Sequence, residues 1–343
     1  MFSEFLAEPS IVQPVRLDAN ENPNGPSPLV QKAILQALSS VNRYTFSELP
    51  RLQASIAAYE GVPTAQVQLG AGISDLLEKI ALRLFQNPGT LILPSPTFPL
   101  LGNAVKGMGS NCVSIPCLSN GSHNLAAMEA ALTEETRLVY VCNPNNPTGS
   151  ITPSAELVEF CKRISKRVPV VVDEAYLDLA VDVPSMASLL REGYNVIIMR
   201  TFSKGLGLAG LRIGYMLGQP SFLKPLQEIM AYNGLMLSNI AVQAAFAALE
   251  DRPFHESYIA ENHRVRNEVS QALLEMGYEI IPSFTNFILF SITGPALDFE
   301  LYFKERGYVL KTMALDGKTW CRLSLGTRDQ MKSFCQLLKT IHS

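Results

Sequence analysis

From residue 67 to residue 217, short runs rich in Val, Ile and Leu alternate with stretches of helical periodicity, and this alternation leaves the chain few architectures. Val67–Leu69, Thr90–Leu93, Cys112–Pro116, Leu138–Cys142, Val168–Val172, Val196–Arg200 and Leu211–Leu217 read as strands. Ser74–Phe85, Pro99–Met108, Asn124–Leu132 and Ser154–Lys166 read as helices. Strands alternating with helices predict an α/β fold with a mostly parallel sheet covered on both faces. The strand runs show no polar residue at every second position, as strands buried on both sides should not. From about residue 255 the texture changes. A long helical pattern at His255–Met276 precedes the strand NFILFSI, a helix near Asp298–Arg306, strands near Val309–Lys311 and Cys321–Leu325, and a helix from Arg328. Two units are expected: a large α/β domain at 45–250, and a smaller α+β domain from 1–44, an extended arm, together with 251–343.

Composition removes whole classes of function. Of 343 residues, 47% are hydrophobic and 17% charged, which excludes a disordered chain. A net charge of −3 gives no basic excess for nucleic acid. No apolar stretch approaches the ~20 residues of a membrane helix. The N-terminus shows no leader pattern, so a cytoplasmic location is expected. Six cysteines occur without a C-x-x-C pair and read as reduced thiols. The four histidines form no ligand pattern, so no metal site is expected.

Ligands of open α/β sheets bind beyond the carboxyl ends of the strands. Three strand ends here carry unusual residues. Asn143-Pro144-Asn145-Asn146-Pro147-Thr148-Gly149 follows LVYVC, Asp173-Glu174-Ala175-Tyr176 follows VPVVV, and Ser203-Lys204 follows VIIMRTF, with Arg212 eight residues later. Taken singly each is ordinary. A lysine near a strand end is usually a solvated surface residue, and Pro, Asn and Gly usually mark a turn.

Together they describe chemistry. Desolvation at a strand end lowers the pKa of Lys204 and makes its amine a nucleophile for an aldehyde. Asp173, at a neighbouring strand end, needs a partner that a protonated pyridine nitrogen supplies. Tyr176 is able to donate to a phenolate oxygen. Asn146 offers its amide to that oxygen or to a substrate carboxylate. Thr201, Ser203 and Arg212 supply two hydroxyls and a forked cation, a set suited to phosphate. Lysine, carboxylate and phosphate cup together describe a site for pyridoxal 5'-phosphate. Gly205 to Gly210 also matches G-x-G-x-x-G, with Glu228 18 residues beyond. That dinucleotide fingerprint requires a helix to follow, and LRIGYMLG reads as a strand.

CNPNNPTG, VVDEAY and RTFSKGLGLAGLRIGY resemble the fold-type I (class II) pyridoxal-phosphate aminotransferases, and within them the histidinol-phosphate aminotransferases. LDANENPNGPSP, RYT at 43–45, QAAFAALED at 243–251, TNFILF and CRLSLGTRD fit the same branch, so the resemblance runs from about residue 16 to 340. It implies the three-layer, aspartate aminotransferase-like fold with a seven-stranded sheet. It implies that Lys204 holds the cofactor covalently and moves the substrate's α-proton, that Asp173 keeps the ring nitrogen protonated, and that Asn146 and Tyr176 bind the ring hydroxyl. It further implies that Phe98 stacks on the ring and that the Gly72 and Ile73 amides join Thr201, Ser203 and Arg212 on the phosphate. Tyr44 would reach the phosphate from a neighbouring subunit, making a homodimer. Arg322, with Asn146 and Lys311, would bind the substrate.

The implied reaction moves an amino group from a small-molecule donor to 2-oxoglutarate by ping-pong transfer. A decarboxylase, cyclase or oxidase of amino acids on the same scaffold is the alternative. A non-catalytic binding protein on this fold would need an appended DNA-binding segment or a damaged site, and neither is visible. Three phrases depart from the branch. The N-terminal arm has no tyrosine before Tyr44, Lys311 stands where an arginine is expected, and MAYNGLMLSN at 230–239 lacks the usual proline-rich phrase. Lysine lacks the bidentate fork of arginine.

Overall fold

The computed structural model describes residues 14–229 and 236–341; most of the 230–239 phrase and the start of the arm lie outside them. At the centre is a seven-stranded sheet ordered Val67–Gly70, Gly214–Leu217, Val196–Thr201, Val170–Asp173, Thr136–Cys142, Thr90–Ser95 and Asn111–Pro116. Gly214–Leu217 runs antiparallel to both neighbours, and the other strands run parallel to one another.

The apolar runs owe their continuity to a two-sided burial. Successive side chains of a strand point to opposite faces. Val139, Val141, Val170, Val172, Val196 and Ile198 enter one hydrophobic core. Their neighbours Leu138, Tyr140, Cys142, Val171, Ile197 and Met199 enter the other. Both faces are covered by helices, so neither alternate set can be polar.

A second, antiparallel sheet is ordered Lys311–Leu315, Lys318–Ser324, Phe287–Ile292 and Ile280–Ile281. Its core takes in Leu17 from the N-terminal arm, Val265, Val269 and Leu273 from helix Arg252–Glu275, and Phe334 from helix Arg328–Lys339. Thr327 and Gln330 close a capping box at the start of that last helix.

Three expectations change. The stretch expected as one strand near Val309–Lys311 is divided: Tyr308–Val309 pairs in parallel with Val15–Arg16, while Lys311–Leu315 pairs with Lys318–Ser324. The strand expected from Leu211 begins at Gly214, because Arg212 turns the backbone into the left-handed region at φ 52°. The arm is not extended throughout. Ser27 caps a helix at Pro28–Ala37 by accepting from the Val30 N–H, with Pro28 at its first position. This helix lies against helix Asn239–Glu250, and Val30 belongs to the core of the large sheet, so the packing sets this part of 1–44 with the large unit rather than the terminal one.

Candidate active site

The carboxyl ends of the parallel strands open into a cavity of about 420 Å³. Ten of the residues singled out from the sequence line it: Ile73, Phe98, Asn146, Asp173, Tyr176, Thr201, Ser203, Lys204, Arg212 and Arg322. Gly72 stands at its edge. It opens helix Gly72–Leu84 with φ 84°, and a Cβ there would lie 2.6 Å from an Arg212 guanidinium nitrogen, so only glycine lets that cation approach the helix start. A helix N-terminus beside a guanidinium and two hydroxyls favours an anion.

Asp173 is the last residue of its strand, in register with Cys142 and Met199 on the neighbouring strands. It is 2% exposed. Tyr140 Oη donates to its Oδ2 at 2.8 Å, and the Ala175 N–H donates to Oδ1 at 3.1 Å. Burial pushes its pKa up to about 6, against the pull of those two donors and of Lys204.

Lys204 follows Thr201 by three residues, so the strand delivers its amine to the cavity. Nζ donates to the backbone carbonyls of Ala19 (3.2 Å) and Asn20 (3.1 Å) and lies 5.6 Å from the Tyr176 ring centroid. Its pKa is pushed down to about 8, first by burial, then by Arg322 and Arg212. Tyr176 Oη accepts from Asn20 Nδ2 (3.0 Å) and Asn146 Nδ2 (3.4 Å). Arg322 donates through one terminal nitrogen to Asn146 Oδ1 at 3.0 Å and through the other to the Asp18 carbonyl. Its Nε is buried without a hydrogen-bond partner among the described residues.

Two expected residues lie elsewhere. Lys311 is exposed and lines an adjoining cavity of about 500 Å³ that shares Phe98, Asn146 and Arg322 with the first. Tyr44 is 77% exposed and lines a surface pocket with Thr45 and Ser238, apart from the cavity of its own chain.

Sequence reasoning missed other parts of the site. Asn20 is 1% exposed and joins three regions: besides Tyr176, its Oδ1 accepts from Ser324 Oγ at 2.9 Å, and its carbonyl accepts from Asn286 Nδ2 at 3.0 Å. It lies in LDANENP, a phrase noted for its resemblance but given no role. Ser74, Glu21 and Cys142 also line the cavity. Asn145, beside Asn146, accepts from Thr97 Oγ1 at 2.8 Å and donates to the Pro96 carbonyl at 3.0 Å, which holds the loop that carries Phe98. Among the described residues no His, Cys, Asp and Glu cluster could hold a metal, and no helix is long and apolar enough to cross a membrane.

The family model described as "Aminotransferase class I and II" matches residues 12–338. The chain belongs to the class I and II aminotransferases. Among curated relatives, the histidinol-phosphate aminotransferase of Akkermansia muciniphila is 35% identical over 330 residues, 95% of this chain and 90% of that protein. That of Moorella thermoacetica is 35% identical over 98% of this chain and 88% of its own. The structure of histidinol-phosphate aminotransferase from Sinorhizobium meliloti in complex with pyridoxal-5'-phosphate has a TM-score of 0.84 at 27% identity, covering 96% of this chain and 92% of that one. The L-threonine-O-3-phosphate decarboxylase of Porphyromonas gingivalis shares the fold (TM-score 0.83, 20% identity, 95% and 99% covered).

This aminotransferase therefore depends on pyridoxal 5'-phosphate and acts on small molecules. The cavity suits that cofactor on its own terms. Its amine loses its charge easily, as an amine that condenses with an aldehyde must. Its carboxylate is buried and, among the described residues, has no cation in hydrogen-bond contact; a pyridinium N–H would meet that need.

Proposed function

We propose that this aminotransferase is of the histidinol-phosphate type and passes an amino group to 2-oxoglutarate by a ping-pong route. The observation that carries the reading is the single cavity that gathers Lys204, Asp173, Arg212 and Arg322, with burial pushing the amine's pKa down. The names of the relatives support the donor.

In this reading Lys204 Nζ is the point of covalent attachment. Asp173 accepts from the protonated ring nitrogen. Tyr176 and Asn146 bind the ring hydroxyl, and Phe98 covers the ring face. Gly72, Ile73, Thr201, Ser203 and Arg212 hold the phosphate. When bound, pyridoxal phosphate supplies an electron sink for the pair left as a bond at the donor's α-carbon breaks. With the cofactor bound, Lys204 Nζ would take the proton from the donor's α-carbon and deliver it to the cofactor's C4′. Its lowered pKa keeps a useful fraction neutral near pH 7 to 8. Arg322 orients the donor by a forked pair of hydrogen bonds to a carboxylate or phosphate. Lys311 adds a point charge from the adjoining cavity.

The protein acts in the cytoplasm as a homodimer in which Tyr44 completes the phosphate cup of the neighbouring subunit. Val41, Tyr44, Phe46 and Met236, all exposed, supply apolar surface for that contact. A decarboxylase, cyclase or oxidase is the second reading. A decarboxylase with this fold, that of Porphyromonas gingivalis, keeps it in view.

Spectra with histidinol phosphate, phenylalanine, tyrosine or arginine as sole donor decide between them. The proposal expects histidinol phosphate alone to bleach the enzyme's chromophore and 2-oxoglutarate to restore it. Release of CO2, or consumption of O2, without an acceptor would replace it with the second reading.

A further inference from the structure

Beside the strand ends lies a buried group of charges that the reading above does not use. Arg200 pairs with Glu60 at 3.2 Å and Asp178 at 3.0 Å, and lies 3.6 Å from Glu174. His255, near the start of helix Arg252–Glu275, turns Nε2 toward this group, 3.8 Å from Asp178 Oδ2. That is beyond hydrogen-bond reach, and Nε2 is buried with no hydrogen-bond partner among the described residues. Burial pushes the imidazole pKa down, with Asp178 acting in the opposite direction.

The imidazole meets Gly205, the residue after Lys204. A Cβ on Gly205 would lie 2.6 Å from His255 Nε2 and 3.4 Å from its Cδ2, with Asp178 Cβ at 3.5 Å. Asn22 Nδ2 donates to the Gly205 carbonyl at 3.1 Å, and the Lys204 carbonyl accepts from the Gly207 N–H at 3.2 Å. The turn that aims Lys204 is thus gripped by the N-terminal arm and by helix Arg252–Glu275.

We propose that His255 is a positioning residue for Lys204: its imidazole edge occupies the space over Gly205 and seats the turn from which the Lys204 side chain enters the cavity. Residue 205 lacks a side chain because the ring takes that volume. The inference rests on Lys204 as the attachment point, so its test reads attachment and positioning separately.

Gly205→Ala, His255→Ala and the double variant are compared with the wild type. The readouts are the dissociation constant for pyridoxal phosphate, the pH midpoint of the bound chromophore, the fraction of protein that borohydride labels, and the melting temperature. Overpacking against the ring should weaken cofactor binding about tenfold in Gly205→Ala and move the pH midpoint. Adding His255→Ala should recover most of both, because neighbours in contact do not add. Wild-type values in Gly205→Ala, or losses that simply add in the double variant, overturn the proposal. If Gly205→Ala does not fold, His255→Ala decides alone: a moved midpoint in folded protein supports the proposal, and an unmoved one overturns it. A wild-type enzyme that borohydride does not label at Lys204 would remove the attachment reading, and the proposal with it.

Discussion

The two sheets of the molecule divide the site unequally. The seven-stranded sheet and the loops at its strand ends supply Asp173, Tyr176, Ser203, Lys204 and Arg212, whereas the antiparallel sheet sends one side chain, Arg322, into the cavity. Of the first set, Asp173 is held by the strand register itself, between Cys142 and Met199. Arg322 makes one contact across units, to Asn146, and one to the Asp18 carbonyl of the arm that joins its own core. On the roles proposed above, the large unit binds and tunes the cofactor and Arg322 of the terminal unit orients the substrate.

Paired substitutions on the two sides test that division. Asp173→Asn should cut kcat by about 10²–10³-fold and weaken cofactor uptake, since it removes a preorganised charge opposite the ring nitrogen. Arg322→Ala should leave cofactor uptake intact and raise KM for the donor by roughly 10–100-fold, the worth of a charged hydrogen-bonded pair. Titrating each variant with pyridoxal phosphate separates the two, and loss of cofactor binding in Arg322→Ala would break the comparison.

Phe334→Ala sharpens it from the side of stability. The ring is fully buried and stacks on Phe303 with centroids 4.8 Å apart. Its loss should cost ~3–5 kcal/mol in denaturant unfolding, a large share of a domain's stability. The Kd for the cofactor should stay unchanged in native buffer if the units divide the work as described.

The smallest effect is a pH dependence of the cofactor-free protein. The Asp173 carboxyl rises from 3.8 to about 6, and burial lifts Glu174 from 4.5 to about 7. Between pH 4 and 7 the folded chain therefore holds protons that the unfolded chain has released, and stability falls as pH rises through that window. Lys204 acts at the other end. Its pKa falls from 10.5 to about 8, so the unfolded chain binds the extra proton, and stability recovers as pH rises from 8 toward 10.5. Melting curves across pH should show both slopes. Asp173→Asn should flatten the acidic one in part, leaving the share due to Glu174.

Much of this site was legible because its residues sit where a regular element ends. DEAY and SK stand out against the apolar strands before them, and it was their recurrence at neighbouring strand ends that marked a site. Tyr140 was not legible. It lies within LVYVC and reads as core, and only the register that sets it beside Asp173 reveals its hydroxyl's role. Asn20 was hidden for another reason. It sits in an irregular arm at φ 55°, with partners 156 and 304 residues away, so no local periodicity marks it. Helix Pro28–Ala37 was missed although Ser27 and Pro28 are a proper start signal, because the Pro- and Asn-rich run before it reads as extended throughout. Tertiary contact, not propensity, decides which unit that helix joins.

Borohydride reduction of the purified holoenzyme, followed by peptide mass analysis, tests the central claim most directly. The account predicts a single phosphopyridoxyl adduct on Lys204, with none in Lys204→Ala and turnover lower by about 10⁴-fold in that variant. An adduct on another lysine, or substantial turnover without Lys204, would contradict it.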